Sequence, residues 1–478
     1  MIFFMKYHLE IDNFSCINDE KCLQLEVSFL KGGKDMLEKI FHLSEKKTDV
    51  KTELIAGLTT FLAMAYILAV NPIILGDAGM DTQSVFMATA ISAGVASIVM
   101  GVLANYPVSL APGMGVNALF TYTVVLTMGH SWEAALASVF VSGLIFLVIS
   151  VTGVRKMIIN AIPQQLKLAI GAGIGFFIAF VGLKNAGIVI MNESTVVGLS
   201  KLTDPAVLLA IFGILVTIAL VAKKVPAAVF VGMVITAVVG LICGAFGVEG
   251  MPTLPSQFIT TDFKMVTFGA FVQGFADLFK DPFNCFIIVF SFLFVDFFDT
   301  AGTLVAIGNR CGLINDEGEL VDAEKALLAD AIGTVVGAVL GTSTVTSFVE
   351  STSGVEAGGR TGLTACSTGI LFFLSVLISP IILSVATNAV TAPALVVVGV
   401  LMAQQLGGVN WNEFEYSAAG FITVLAMVVT SSISNGIALG FITYGVAMIA
   451  TGKAKDVSKI IWVLDVIFIF YFYSLTLI

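Results

Sequence analysis

Long apolar runs separated by short polar breaks recur along the chain after residue 53, and most are long enough to cross about 30 Å of hydrocarbon as helices. In the first half they fall near 54–76, 83–103, 114–128, 133–153, 165–183, 205–222 and 225–247. A more polar connection with an amphipathic piece from Phe271 to Phe279 follows, and then runs near 284–308, 325–341, 350–358, 361–384, 389–406, 417–449 and 459–476. The pattern predicts an all-α polytopic membrane protein of about fourteen spanning segments. Ser431 to Gly436 interrupt the run at 417–449, which reads either as one long helix or as two short ones.

These runs divide the chain into an extension 1–35, an N-terminal stretch 36–53, a first seven-segment half 54–247, a connection 248–283 and a second seven-segment half 284–478. The extension has two readings. Lys31-Gly32-Gly33 back-translates to a purine-rich ribosome-binding sequence a short distance before Met36, which makes Met36 the expected native start. The alternative is a genuine short cytoplasmic tail. Neither carries a cleavable signal, so the first spanning helix is expected to direct insertion.

Composition agrees with the pattern. Hydrophobic residues make up 58% of the chain and charged residues 12%, with a mean hydropathy of +1.01, whereas soluble domains carry about a quarter charged residues. After Lys51 the next cation is Arg155. A net charge of −10 without a basic patch excludes a nucleic-acid partner. The six cysteines, Cys16, Cys22, Cys243, Cys285, Cys311 and Cys366, lack metal-ligand spacing and read as small core residues. No cofactor motif is present; Gly171 to Gly175 mimics a phosphate loop but lies in an apolar helix, where small residues serve close packing.

Cations set the orientation. Arg155, Lys156, Lys167, Lys223, Lys224, Arg310 and Lys325 fall on the side of the Lys-rich N-terminus, against Lys184, Lys201, Lys264 and Lys280 on the other. The positive-inside rule then predicts a cytoplasmic N-terminus in a cell membrane.

Against this apolar background, Asp296 and Asp299 stand inside the run Phe286 to Ile307, and Glu350 follows in a Ser/Thr/Gly-rich break. A charge at mid-bilayer costs about 2.5–3.5 kcal/mol on insertion scales, so such groups face protein or a wet cavity and mark a substrate or ion path. A symmetry reinforces the point. The broken stretch Pro107 to Asn117 in the first half matches Gly341 to Ser351 in the second, and Asn117 lies 54 residues beyond Ala63 as Glu350 lies 54 beyond Asp296. With seven spans per repeat the halves are inverted, and interrupted helices at matching places mark the midplane site of a carrier. Half-helices beginning near Met114 and Glu350 would turn their N-terminal ends to the centre, and the residues around Val345-Thr346 suit a short extended strand.

Four blocks carry a family resemblance: Thr52 to Tyr66, Ala111 to Phe120 (APGMGVNALF), Val295 to Thr303 (VDFFDTAGT) and Thr346 to Ala365 (TSFVESTSGVEAGGRTGLTA). In this order, from Met36 to the C-terminus, the chain resembles the AzgA-like purine permeases among the nucleobase:cation symporters. The resemblance implies the uracil-permease fold: two inverted seven-helix repeats, a core domain with short strands in the third and tenth segments, and a gate domain. It also implies substrate binding by Asn117, Asp296 and Glu350, a coupling role for Asp299, and allows a homodimer through the gate domain.

The residue chemistry suits that substrate. A purine base offers N–H donors beside a carbonyl, which carboxylates accept from and an amide both accepts from and donates to. Phe292, Phe294, Phe297, Phe298 and Phe348 are candidate stacking faces, although most phenylalanine is expected to serve packing. Asp296 and Asp299, three residues apart on one helix, can influence each other and exchange a proton with each side in turn. His8, His42 and His130 lie outside the spans and are not expected relays. The sequence therefore predicts import of purine nucleobases by proton symport, hypoxanthine and guanine before adenine, with sodium coupling or a xanthine/uracil-type substrate as the alternative. An intramembrane aspartyl protease is a remote alternative, since its acids come from separate helices. A channel would line its pore with polar rings. Glu356 and Arg360 read as a local pair or polar mouth residues, and Asn117 has a plain helix-capping reading.

Overall fold

The computed structural model describes residues 35–152, 162–311, 313 and 320–475. The reading of the extension 1–35 therefore falls almost wholly outside the described residues, as do Arg155, Lys156, Cys16, Cys22 and His8.

Capping residues mark where the apolar runs turn into helices. Asp49 accepts from the Thr52 N–H at 2.8 Å and opens α1, Val50–Met64. The first span does not continue as one helix. It breaks at Ala65 and Tyr66, where Leu68 N bonds back to Ala65 O at 3.2 Å in a tightened turn, and resumes as α2, Ile67–Asp77. Pro72 lies inside α2 and has no N–H to give the Leu68 carbonyl. Asp81 caps α3, Thr82–Ala104, with its carboxylate 2.8 Å from Ser84 N.

The third segment opens with a strand, β1 (Leu110–Pro112), then α4 (Met114–Ala118) and a π-helical stretch, Leu119–Thr127. Helices α5 (Trp132–Thr152), α6 (Gln164–Asn185), α7 (Pro205–Ala222) and α8 (Ala228–Ala245) complete the first seven segments. An exposed hairpin, β2 (Val189–Asn192) with β3 (Val196–Leu199), follows α6; nothing in the hydropathy pattern announces it. The expected amphipathic piece is α9, Phe271–Leu278.

The second set begins with α10 (Pro282–Cys311) and α11 (Ala323–Leu340), and its third member is again broken, with β4 (Val345–Ser347) leading into α12 (Ser351–Glu356). Next come α13 (Gly362–Ser375) running through a 3-10 turn into α14 (Ser379–Val385), α15 (Asn388–Ala403), α16 (Phe414–Val429) and α17 (Ile433–Ala450). The run at 417–449 is thus two helices, divided where Ser431 takes φ 50° and Ser432 caps α17. Seven segments of the second half are complete at Ala450, and α18, Lys459–Leu475, lies beyond them beside α17.

Among the described residues nine helices are long and apolar enough to cross a membrane. The other five segments are the two broken ones, the acid-bearing α10, α11 and the 16-residue α16. Those exceptions hold the chemistry.

Packing sorts the helices into two groups. Segments one to four and eight to eleven form one, with α3 against α11 and α13, α5 against α9, α10 and α11, and α1 against α12 and α13. Segments five to seven and twelve to fourteen form the other, centred on α6 against α15 and α16. Small residues permit these approaches: a Cβ on Gly101 would collide with the Gly362 carbonyl, and one on Gly175 would lie 2.5 Å from Met402 Cβ. Gly171, Gly173 and Gly175 accordingly face Gln405, Met427 and Met402, and the phosphate-loop mimic is a packing surface. The groups meet where Asn185 Nδ2 donates to Tyr122 Oη at 2.7 Å, Tyr122 Oη donates to Asp77 at 2.8 Å, and Phe294 lies edge-on to Phe441.

Candidate substrate site

The two broken segments cross at one place. β1 and β4 pair antiparallel, Leu110 opposite Ser347, Ala111 opposite Thr346 and Pro112 opposite Val345. The ladder extends through Gly113 N to Thr344 O at 2.9 Å and Phe348 N to Ser109 O at 3.0 Å. Pro112 lacks an N–H, but it stands opposite Val345 on the rung next to the bonded Gly113–Thr344 pair, and in an antiparallel ladder that alternate rung uses no N–H across the strands. In this antiparallel pair the difference in number changes from rung to rung, 237, 235 and 233, so the 233 separating Ala63 from Asp296 and Asn117 from Glu350 stays a property of the sequence and is not set by the register.

Each site residue predicted from the sequence has an assigned place around this crossing. Asp296, on α10, is buried, and Thr334 Oγ1 lies 3.1 Å from its Oδ2 and 3.2 Å from Val345 O, so the one hydroxyl proton is shared between the carboxylate and β4. Asp299 lies one turn further along α10. Its Oδ2 is 3.5 Å from where a Gly113 Cβ would stand, which puts the carboxylate in ordinary contact distance of the strand crossing. Glu350 stands three residues beyond β4, immediately before α12, and its Oε1 accepts from Tyr66 Oη at 2.6 Å. Asn117, fully buried on α4, accepts from Ser343 Oγ, while its Nδ2 meets no hydrogen-bond partner among the described residues. Asp299 is near enough to Asp330 and Glu350 for both charges to act on it.

Two residues of the site escaped the sequence reading. Asp330, fully buried on α11, accepts from Thr300 Oγ1 at 2.7 Å, Ser347 N at 3.1 Å and Ser347 Oγ at 3.2 Å. Thr300 Oγ1 also lies 2.7 Å from Thr346 Oγ1. Asp330 therefore pins β4 to both α10 and α11. Tyr66 is the second, and its position in the first-span break is what brings its hydroxyl to Glu350.

Other predicted residues serve structure. Phe292 packs with Phe120, Phe294 with Phe290, Phe441 and Phe468, and Phe297 with Phe146. Phe348 alone of the described candidates adjoins the crossing, its ring 6.4 Å from that of Tyr66 and tilted 42°. The Phe298 side chain lies outside the described residues. Arg360 Nη1 donates to the carbonyls of Val355 at 2.6 Å and Gly359 at 2.7 Å, closing the end of α12, and Glu356 is exposed. Glu53, fully buried, accepts from Arg360 N, Thr361 N, Thr364 N and Thr364 Oγ1 and so caps α13.

The arrangement sets carboxylates and one amide, each held by a hydroxyl, around two crossed strands. It suits a small, flat, polar molecule with N–H donors.

Residues 51–461 match the Permease family, Xan_ur_permease. The chain is 49% identical over 446 residues to "Guanine/hypoxanthine permease PbuG" of Bacillus subtilis (strain 168), covering 91% of this chain and 99% of that protein. It is 41% identical over 437 residues to "Adenine permease AdeP" of Escherichia coli (strain K12), covering 91% and 96%. Among solved structures, the transmembrane domain of the cyanobacterial bicarbonate transporter BicA shares the fold with a TM-score of 0.55 at 14% identity, over 84% of this chain and 96% of that one.

Proposed function

The chain belongs to the permease family, and from that membership we propose that it is a secondary active transporter importing purine nucleobases by proton symport. A permease moves its substrate unchanged, so the protease alternative falls away. Hypoxanthine and guanine are the favoured substrates and adenine the next, a ranking supported by the names of the relatives at 49% and 41% identity.

In this reading Asn117, Asp296 and Glu350 bind the base. Glu350 and Asp296 accept ring N–H donors, and Asn117 Nδ2, which has no protein acceptor among the described residues, donates to a ring nitrogen or carbonyl. Asp299 carries the coupled proton, picked up from the outer side and released on the inner one as the two helix groups move about the crossing. The observation that carries the reading is the strand pair itself: β1 and β4 gather one binding residue from each broken segment, and α10 brings both aspartates beside them. The N-terminus lies in the cytoplasm of a cell membrane, as the cation distribution predicts, and a homodimer through the second helix group completes the assembly.

Uptake of radiolabelled hypoxanthine into cells lacking their own purine permeases tests this. Saturable uptake, competed by guanine and more weakly by adenine, collapsing when the proton gradient is dissipated and indifferent to sodium, is the expected result. Uptake that follows a sodium gradient at constant pH would overturn the coupling, and no competition by any purine would overturn the substrate.

A further inference from the structure

The Glu350 carboxylate meets a phenol, Tyr66 Oη, at 2.6 Å, and that tyrosine has no role in the reading above. We propose that Tyr66 is a positioning residue of the purine site, fixing the Glu350 carboxylate for the base; the assignment rests on the purine reading above.

Three observations converge on it. Tyr66 stands in the break between α1 and α2, where the chain leaves regular helical geometry in the middle of an otherwise apolar span. Its side chain is 1% exposed, and its hydroxyl is spent on one partner, Glu350 Oε1, at 2.6 Å. Its ring lies beside Phe348, the residue that joins β4 to the Glu350 turn, so the phenol is held from both ends. A carboxylate on three rotatable bonds samples several orientations; a short hydrogen bond from a buried, packed phenol leaves it one. With Oε1 held by Tyr66, Oε2 is the oxygen turned to a ring N–H.

Hypoxanthine binding to the detergent-purified full-length protein by isothermal titration tests the assignment, on wild type, Tyr66→Phe, Glu350→Asp and the double variant. Tyr66→Phe keeps the ring and removes only the hydroxyl, and is expected to weaken binding about tenfold, the usual worth of one hydrogen bond to a charged group. Glu350→Asp withdraws the carboxylate from the phenol, so adding Tyr66→Phe to it is expected to weaken binding no further. Wild-type affinity in Tyr66→Phe, or penalties that multiply in the double variant, would overturn the assignment while leaving the purine reading intact. A wild-type protein that binds no purine would defeat the substrate reading and this assignment with it.

Discussion

Replacing Gly113 by alanine adds one methyl group at the centre of the crossing. The backbone tolerates it, since Gly113 has φ −72° and ψ 128°, ordinary values for any residue. The new Cβ would lie 2.6 Å from Thr346 Cγ2, about 1 Å inside the ordinary contact distance between carbon atoms. Thr346 has little room to yield, because its hydroxyl sits 2.7 Å from that of Thr300, which in turn donates to Asp330. Overpacking of this kind costs about 1–3 kcal/mol, and rotating Thr346 away from Thr300 adds about 1 kcal/mol for the lost hydrogen bond. A loss of roughly 2–4 kcal/mol corresponds to at least a tenfold fall in substrate affinity if it is expressed at the site. Thermal unfolding in detergent and the KM for purine uptake read the two parts of the effect. Thr346→Ser removes Cγ2 and keeps the hydroxyl, so the Gly113→Ala, Thr346→Ser double variant is expected to recover most of both. A Gly113→Ala protein with wild-type stability and KM, or a double variant no better than the single, would refute the packing argument.

Other outcomes follow from the buried acids that serve structure. Asp330→Ala strands three donors from α10 and β4 and is expected to destabilise the protein by about 3–5 kcal/mol in thermal unfolding, whereas Asp330→Asn, which keeps an acceptor for Ser347, loses less than half of that. Equal stability of the alanine variant and wild type would contradict the pinning role. Glu53→Ala leaves the first turn of α13 without its acceptor and is expected to lower the yield of folded protein in fluorescence-detected size exclusion, with Glu53→Gln intermediate; unchanged yield would exclude a capping role.

The fold was legible in the sequence where physics leaves a periodic or compositional trace. Most of the apolar segments, the breaks before Asn117 and Glu350 and the short strand at Val345 follow from hydropathy and from Pro, Gly and β-branched residues, whereas the strand Leu110–Pro112 was implied only by the family resemblance. The hidden features lack such a trace. The first span breaks at Ala65-Tyr66 without a glycine or proline at the break, and the contact made there, Tyr66 with Glu350, joins residues 284 apart in sequence. Asp330 follows Glu324 and Lys325 on α11 and looks like one more charge near a helix start, because its donors come from residues 300 and 347. The division at Ser431 was visible only as an ambiguity, since polar residues in an apolar run mark either a turn or a buried patch. Asp296, Asp299, Glu350 and Asn117 stood out for the opposite reason: polar groups there are costly in lipid and have no local partner in the sequence.

The most direct test of the account is exchange of labelled hypoxanthine in proteoliposomes containing wild type, Asp296→Asn or Glu350→Gln at matched protein content. Counterflow needs binding and reorientation but no net driving force, so it isolates the site from the coupling. Wild-type vesicles accumulating label transiently while both amide variants fall to the level of empty liposomes is the predicted result; counterflow by both variants at the wild-type rate would contradict a purine site built from these carboxylates.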